Sequence, residues 1–242
     1  MKDSLGAPPP FDRSAALFLD LDGTIAEIEP RPDQVAAAPM RSALLVELGR
    51  RMGGRVAILS GRTLDDVDRI LEGSVAAVAA VHGLVRRRPD GSIEQTSPSP
   101  ALEAARGVFT ILAEAQRGLI VEDKTVSVTL HYRQVPQVEA AVCEAAERIA
   151  TSSDLVLQQG AMVAELRTPG PTKGDCLRAF LAEPPFEGHA PVMVGDDLTD
   201  EHAFEAAKAA GGYGVLVGPE RGTHASYRLE TVADVLDWLG GQ

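Results

Sequence analysis

Two aspartates separated by one residue, Asp20 and Asp22, end an apolar run near the start of the chain and precede a glycine and a threonine. The apolar run, residues 17–19, is typical of a buried parallel strand, and open α/β sheets bind ligands beyond the carboxyl ends of such strands. We therefore expect the pair at the mouth of a site. The alternative is a strand that ends in a solvated acidic turn.

Three further polar groups follow a predicted strand or begin a predicted helix. Ser60 follows a short, mainly apolar strand predicted at 55–59, Lys173 begins a helix after a proline-rich hinge, and an acidic run at 196–200 follows another short strand. Because the carboxyl ends of parallel strands meet at one edge of a sheet, we expect these groups to lie near the aspartate pair.

The acidic residues predict a magnesium site. Carboxylates that face one another repel unless a cation lies between them, and Mg²⁺ takes oxygen ligands while keeping positions open for phosphate. We expect Asp20, Asp22 and Asp196 to be the metal ligands. Asp197 and Asp200 are expected to lie next to these ligands and support them without contacting the metal. Alternatively, Asp197 and Asp200 cap the helix that begins near residue 199.

The same residues can carry out phosphoryl transfer. With phosphate bound, Asp20 can attack phosphorus and form an aspartyl-phosphate, while Asp22 protonates the leaving oxygen and then activates water. Alternative roles are a helix cap for Ser60 and a solvated helix position for Lys173. The residues expected to bind phosphate are Ser60, Gly61, Gly23, Thr24 and Lys173.

The order of predicted elements indicates an α/β fold with a doubly wound parallel sheet and an insert. Strands and helices alternate up to residue 81, and the alternation resumes after the hinge at 168–171. Between them lie a hairpin and a mixed run of helices and strands. We expect a catalytic core at 1–85 and 169–242 and an α+β cap at 86–168.

Composition limits the functional classes. The 242 residues include 45% hydrophobic residues and carry a formal net charge of −12, which argues against nucleic acid or an anionic membrane as a partner. The two cysteines, Cys143 and Cys176, suggest neither a disulfide framework nor a metal site. The absence of an apolar span or leader predicts a cytoplasmic location. A small anionic substrate is the expected partner, and no oligomeric state is predicted.

Four motifs together resemble the haloacid dehalogenase (HAD) superfamily of phosphohydrolases. They are the D-L-D-G-T run at 20–24, Ser60 at a strand end, Lys173 at a helix start, and G-D-D-L-T-D at 195–200. Their order along the chain is also similar, with a cap between the second and third motifs. The resemblance implies a Rossmann-like HAD core, Mg²⁺ as cofactor and Asp20 as nucleophile.

A narrower resemblance, over residues 17–239, is to the trehalose-6-phosphate phosphatase family. It implies hydrolysis of a sugar phosphate, with trehalose 6-phosphate as the leading candidate. It also implies that Lys124 and Glu165 of the cap bind the sugar. Val85 and Ala161 depart from the family pattern at positions that bear on sugar recognition. The segments that carry the resemblance are 60–62, 82–83, 121–124, 130–133, 165–167, 172–174, 195–201, 212–218 and 225–229.

Other polar residues are candidates for substrate binding. Arg62 and His82 follow core strands, whereas alternation places His131 and Arg133 on one face of a cap strand, opposite Tyr132. A structural histidine and a solvated sheet face are the alternatives. Other functions also stay open: a phosphatase for sucrose phosphate or mannosyl-phosphoglycerate, a phosphomutase, and a non-catalytic sugar-phosphate sensor.

Overall fold

A computed structural model describes residues 5–160 and 162–241 and divides the chain into two compact units. The first unit comprises Met1–Glu94 and Pro171–Gln242, and the second comprises Gln95–Gly170. The sequence predicted the boundaries at residues 86 and 168, so the second unit starts later than expected.

The N-terminal part of the first unit alternates strands and helices and then ends in a hairpin. Its strands are short and its first three are fully buried, as expected of a sheet covered by helices on both faces. The elements are β1 (Ala16–Leu19), α1 (Pro39–Arg51), β2 (Val56–Leu59), α2 (Leu64–Leu71), β3 (Ala77–Ala80), β4 (Val85–Arg87) and β5 (Ile93–Gln95).

The second unit contains a four-stranded antiparallel sheet in the order β6-β7-β9-β8 and two helices. One face of this sheet packs on the helices through a core that includes Phe109, Leu130, Val142 and Leu166. The elements are α3 (Ala101–Ala115), β6 (Ile120–Asp123), β7 (Ser127–His131), α4 (Glu139–Thr151), β8 (Val156–Gly160) and β9 (Val163–Arg167).

The chain then returns to the first unit and completes its sheet. Eight strands lie in the order β12-β11-β10-β1-β2-β3-β4-β5, and the six from β12 to β3 are parallel. This confirms the predicted α/β fold with a central parallel sheet. The remaining elements are α5 (Lys173–Leu181), β10 (Pro191–Gly195), α6 (Glu201–Ala209), β11 (Tyr213–Val217), β12 (Tyr227–Leu229) and α7 (Val232–Gly240).

Strand β1 lies at the position where the strand order reverses. It pairs with β10 on one side and β2 on the other, so successive connections lead away from it in opposite directions. Such a switch point opens a crevice at the carboxyl ends of the strands, where α/β proteins bind ligands. Asp20 follows β1 directly, so it lies at this crevice.

The sequence has an arginine run at 86–88, a pattern that is typical of an exposed hairpin and predicts no functional role. Arg86 is instead buried, because it stacks over the ring of Phe180 and forms ion pairs with Glu94 and Glu183. Its partners show that the hairpin is packed on the first unit. No helix in the part of the chain that the structure describes has the length and apolar character needed to cross a membrane.

Candidate active site

Asp20, Lys173 and Asp200 form a buried ion-paired group at the end of β1. The Lys173 Nζ donates to Asp20 Oδ1 at 2.8 Å and to Asp200 Oδ1 at 2.6 Å. The Asp20 backbone N–H donates to the Val194 carbonyl at 2.9 Å, which fixes the end of β1 beside the end of β10. Parallel pairing therefore brings together residues that are far apart in the sequence.

The site is rich in negative charge, and this shifts its pKa values. Burial, together with the carboxylates of Asp200 and Asp196, raises the pKa of Asp20 well above its usual value, against the opposing effect of Lys173. Burial and the charge of Asp200 raise the pKa of Asp196 to about 7. Burial favours a neutral Lys173, but the two aspartates outweigh it and raise the pKa of the lysine.

A divalent cation fits the carboxylates of Asp20, Asp196 and Asp200. Oxygen atoms from the three side chains lie within 4.8 Å of one another. The Asp196 Oδ1 is buried and has no hydrogen-bond partner among the described residues. An unpartnered buried carboxylate oxygen is costly, and a hard cation with oxygen ligands would remove that cost.

Gly23 packs directly against Asp196. Its φ is +76°, and a Cβ at this position would overlap the Asp196 carboxylate. Only glycine combines this left-handed backbone with so close an approach. The glycine of the D-L-D-G-T run therefore makes room for the side chain of Asp196.

Asp22 lies outside the carboxylate cluster and pairs with Arg62 instead. The Arg62 Nε donates to Asp22 Oδ2 at 2.7 Å, and Nη2 donates to Asp22 Oδ1 at 2.8 Å. Arg62 was a candidate for sugar binding, and the structure places it on the predicted acid/base. The sequence predicted Asp22 as a metal ligand, but its carboxylate is paired with Arg62 and is not among the three carboxylates that lie together.

The loop after β2 contains Ser60 and Gly61. The Ser60 hydroxyl oxygen accepts from the Arg62 backbone N–H at 3.2 Å, so its proton is available for an anion. A Cβ at Gly61 would overlap the imidazole of His82, whose backbone N–H donates to the Ser60 carbonyl at 2.8 Å. His82 has a left-handed backbone with φ of 55° and holds this loop through these contacts. Thr24 is fully buried.

Capping boxes position Lys173 and the acidic run. Thr172 caps α5 by accepting from the Asp175 N–H at 3.2 Å, while the Asp175 carboxylate accepts from the Thr172 N–H at 2.9 Å. Lys173 is the first residue of that helix. Asp197 and Asp200 form a second capping box, which matches the capping alternative from the sequence, yet Asp200 also accepts from Lys173.

Polar side chains of the second unit form a separate group on the sheet face opposite its helices. The buried Glu165 accepts from the Ser127 hydroxyl at 2.5 Å and lies 3.6 Å from the Lys124 Nζ. Glu122 lies 2.7 Å from the His131 Nε2 and 3.9 Å from the Lys124 Nζ. Burial opposes ionisation of Glu122, but His131 and Lys124 together hold its pKa below the usual value.

The sequence did not single out Glu122, Ser127 or Thr129. The strand register pairs Glu122 with Thr129 and Thr129 with Glu165, so one row of polar residues crosses three strands. Period-two alternation from His131 along β7 is the signal that could have found Thr129 and Ser127, and the same period from Lys124 could have found Glu122.

Two candidates lie elsewhere than expected. Arg133 lies in the turn after β7 and not on the strand where alternation placed it, and Lys124, which the sequence also predicts to lie on a cap strand, directly follows β6. Val85, one of the positions that depart from the family pattern, begins β4 in the first unit. The other, Ala161, lies outside the described residues.

Comparison with known proteins gives consistent matches. Residues 18–233 match the family model described as trehalose-phosphatase. The chain is 38% identical to the trehalose-6-phosphate phosphatase of Escherichia coli K12, over 99% of this chain and 90% of that protein. It is 34% identical to a probable trehalose-phosphate phosphatase of Sinorhizobium fredii, over 84% and 78% of the two chains.

Solved structures share the fold. The C-terminal domain of the Candida albicans trehalose-6-phosphate phosphatase superposes with a TM-score of 0.83 at 22% identity, covering 99% of this chain and 98% of that chain. A haloacid dehalogenase-like hydrolase from Bacillus subtilis superposes with a TM-score of 0.64 at 18% identity, over 93% and 99% of the two chains.

Proposed function

Because the chain belongs to the trehalose-phosphatase family and is a phosphatase, we propose that it hydrolyses trehalose 6-phosphate to trehalose and phosphate. The observation that carries the proposal is the buried group of Asp20, Lys173 and Asp200 beside the Asp22–Arg62 pair. It offers a carboxylate nucleophile and a cation for phosphate at one strand end. It also places a second carboxyl group two residues from the nucleophile.

In the proposed reaction, Asp20 attacks phosphorus and forms an aspartyl-phosphate. Lys173 fixes one Asp20 oxygen through its hydrogen bond, so the other oxygen makes the new P–O bond as the sugar oxygen leaves. In its protonated form, with one oxygen released from Arg62, Asp22 gives its proton to the departing sugar oxygen; as the resulting carboxylate it later takes one from the water that hydrolyses the acyl phosphate. Ser60, Gly61 and the backbone around Gly23 and Thr24 bind the phosphate oxygens.

We assign the cofactor as Mg²⁺, held by Asp20, Asp196 and the Asp22 backbone, with Asp197 and Asp200 supporting these ligands. When bound, Mg²⁺ neutralises phosphate charge and polarises the reacting phosphoryl group. Its charge also favours ionised Asp20, which the nucleophile must be and which burial alone disfavours. Lys173 stays charged because two aspartates surround it.

Sugar selection is proposed for the polar group of the second unit. Glu165 and Lys124, which are buried, and Glu122, which is partly buried, offer charged groups that can bind several hydroxyls, and such sites reject analogues that lack the matching hydroxyl. His131 and Arg133, from the same unit, extend this set. We expect a cytoplasmic location, to be checked by cell fractionation.

The test is phosphate release from a panel of sugar phosphates, with and without Mg²⁺. Trehalose 6-phosphate should have the highest kcat/KM, and chelation of Mg²⁺ should remove the activity. Higher kcat/KM for sucrose 6-phosphate or mannosyl-phosphoglycerate would redirect the substrate assignment within the same reaction class. Transfer of phosphate to a sugar as the main outcome, or no turnover of any member, would contradict the proposal.

A further inference from the structure

Arg221 lies on the loop between β11 and β12 and reaches the backbone of the acidic loop, residues 195–201. Its Nη2 donates to the Asp197 carbonyl at 2.8 Å and to the Asp196 carbonyl at 3.3 Å. Its Nη1 forms an ion pair with Glu201, the first residue of α6. One guanidinium thus bonds the acidic loop at three points, at Asp196, Asp197 and Glu201.

Glu201 ties the same two loops together from the other side. Besides Arg221, its carboxylate accepts from the Thr223 hydroxyl at 2.8 Å and from the His224 backbone N–H at 2.7 Å. The side chains of Arg221 and Glu201 are only 23% and 18% exposed. Partial burial makes these charged hydrogen bonds stronger than they would be on the open surface.

The contact network leads from Arg221 to the reacting groups. The Asp197 carbonyl that Arg221 binds also accepts from the Asp200 N–H at 3.2 Å, and Asp200 Oδ2 accepts from the Asp197 N–H at 3.1 Å. Asp200 Oδ1 in turn accepts from Lys173, which donates to Asp20. Arg221 also binds the backbone carbonyl of Asp196, and the side chain of Asp196 carries the buried oxygen that has no hydrogen-bond partner among the described residues.

We propose that Arg221 is a positioning residue for the divalent cation, because it holds the backbone of Asp196 and Asp197 so that the Asp196 carboxylate stays aimed at the cation site. This inference rests on the metal assignment in the proposed function. Arg221 touches neither cation nor substrate in this role. Its effect is on the affinity for the metal, through the backbone of one ligand.

The test titrates metal-free wild type, Arg221→Gln and Arg221→Lys with Mn²⁺ and reads free Mn²⁺ by electron paramagnetic resonance. Arg221→Gln should bind Mn²⁺ about tenfold more weakly, as loss of outer contacts commonly does at metal sites. Arg221→Lys should be intermediate, because an ammonium lacks the planar fork that reaches all three acceptors. Arg50→Gln, which breaks an exposed pair with Glu47, is the control and should bind as wild type does.

Activity gives a second readout. The Mg²⁺ concentration for half-maximal activity should rise about tenfold in Arg221→Gln, while kcat at saturating Mg²⁺ stays within about threefold of wild type. If Arg221→Gln does not fold, Thr223→Ala removes the hydroxyl that donates to Glu201 and accepts from the Ala225 N–H, and it should weaken Mn²⁺ binding about threefold. Wild-type Mn²⁺ affinity in the folded variants would overturn this inference alone, whereas a wild type that binds no Mn²⁺ would overturn the metal assignment as well.

Discussion

The Arg62 guanidinium holds both oxygens of the Asp22 carboxylate, at 2.7 Å and 2.8 Å, and its third nitrogen donates to the Pro32 carbonyl at 2.9 Å. A bidentate pair of this kind fixes the plane of the carboxylate as well as its position. The anchor at Pro32 fixes the guanidinium in turn. Arg62 therefore orients the group that is proposed to exchange protons with the leaving oxygen and with water.

Arg62→Gln should impair the step that needs a proton donor. Alkoxide leaving groups require protonation, whereas p-nitrophenolate leaves without it, so misplacement of Asp22 affects an alkyl phosphate more. We expect a loss of about 10²-fold in kcat/KM for a simple alkyl phosphate and less than tenfold for p-nitrophenyl phosphate. Steady-state kinetics on both substrates measure this difference, with Arg148→Gln, which removes an exposed pair with Glu144 on α4, as control. Equal losses on the two substrates would speak against an orienting role.

Asp20→Asn should abolish turnover even with Mg²⁺ present. The amide retains the size of the side chain but is not a nucleophile, so the acyl phosphate cannot form. Phosphate release should fall below detection, while circular dichroism shows the fold retained. Asp33→Asn, which alters an exposed pair with Arg31, should keep full activity. Substantial hydrolysis by Asp20→Asn would mean that another group attacks phosphorus.

Two equivalent capping boxes allow a matched test of how Lys173 is positioned. Thr172 caps α5, whose first residue is Lys173, and Thr231 caps α7 with the same pattern of hydrogen bonds. Thr172→Ala and Thr231→Ala should each lower the free energy of unfolding by about 1 kcal/mol, measured in urea. Only Thr172→Ala should also lower kcat, because it loosens the helix start that carries the lysine. Similar kcat values for the two variants would mean that the Thr172 capping box does not affect catalysis.

The core of the site was predictable because each of its residues follows a strand or begins a helix. Asp20, Lys173 and Asp196 were predicted as site residues because of such positions. The parallel pairing of β1 and β10 brings their carboxyl ends side by side, and Lys173 bonds Asp20 there. The partner of Asp22 was not predictable from spacing alone. Arg62 lies one strand away, and its side chain could have pointed to substrate, solvent or the carboxylate.

The fold was predictable to the same extent. Short apolar runs that alternate with segments of helical spacing indicated the parallel sheet. The hairpin that follows β3 was expected to be exposed to solvent, whereas its Arg86 is buried. Arginine-rich segments are usually solvated, so nothing local shows that Arg86 lies over Phe180 between two glutamates. Similarly, Arg221 contacts residues more than twenty positions away, and only the tertiary structure reveals the pairing.

Glu165→Ala should separate sugar recognition from chemistry. Glu165 is buried, accepts from Ser127 and lies near Lys124, so its removal takes the acceptor from the Ser127 hydroxyl and one carboxylate from beside Lys124, and disrupts the proposed sugar contacts. We expect kcat/KM to fall about 10²-fold for trehalose 6-phosphate but less than threefold for p-nitrophenyl phosphate, which has no sugar to bind. Glu103→Ala, an exposed change on α3, is the matched control and should alter neither value. Because the catalytic carboxylates and Lys173 belong to the first unit, an equal loss on both substrates would mean that Glu165 supports the fold or the reaction rather than the choice of sugar.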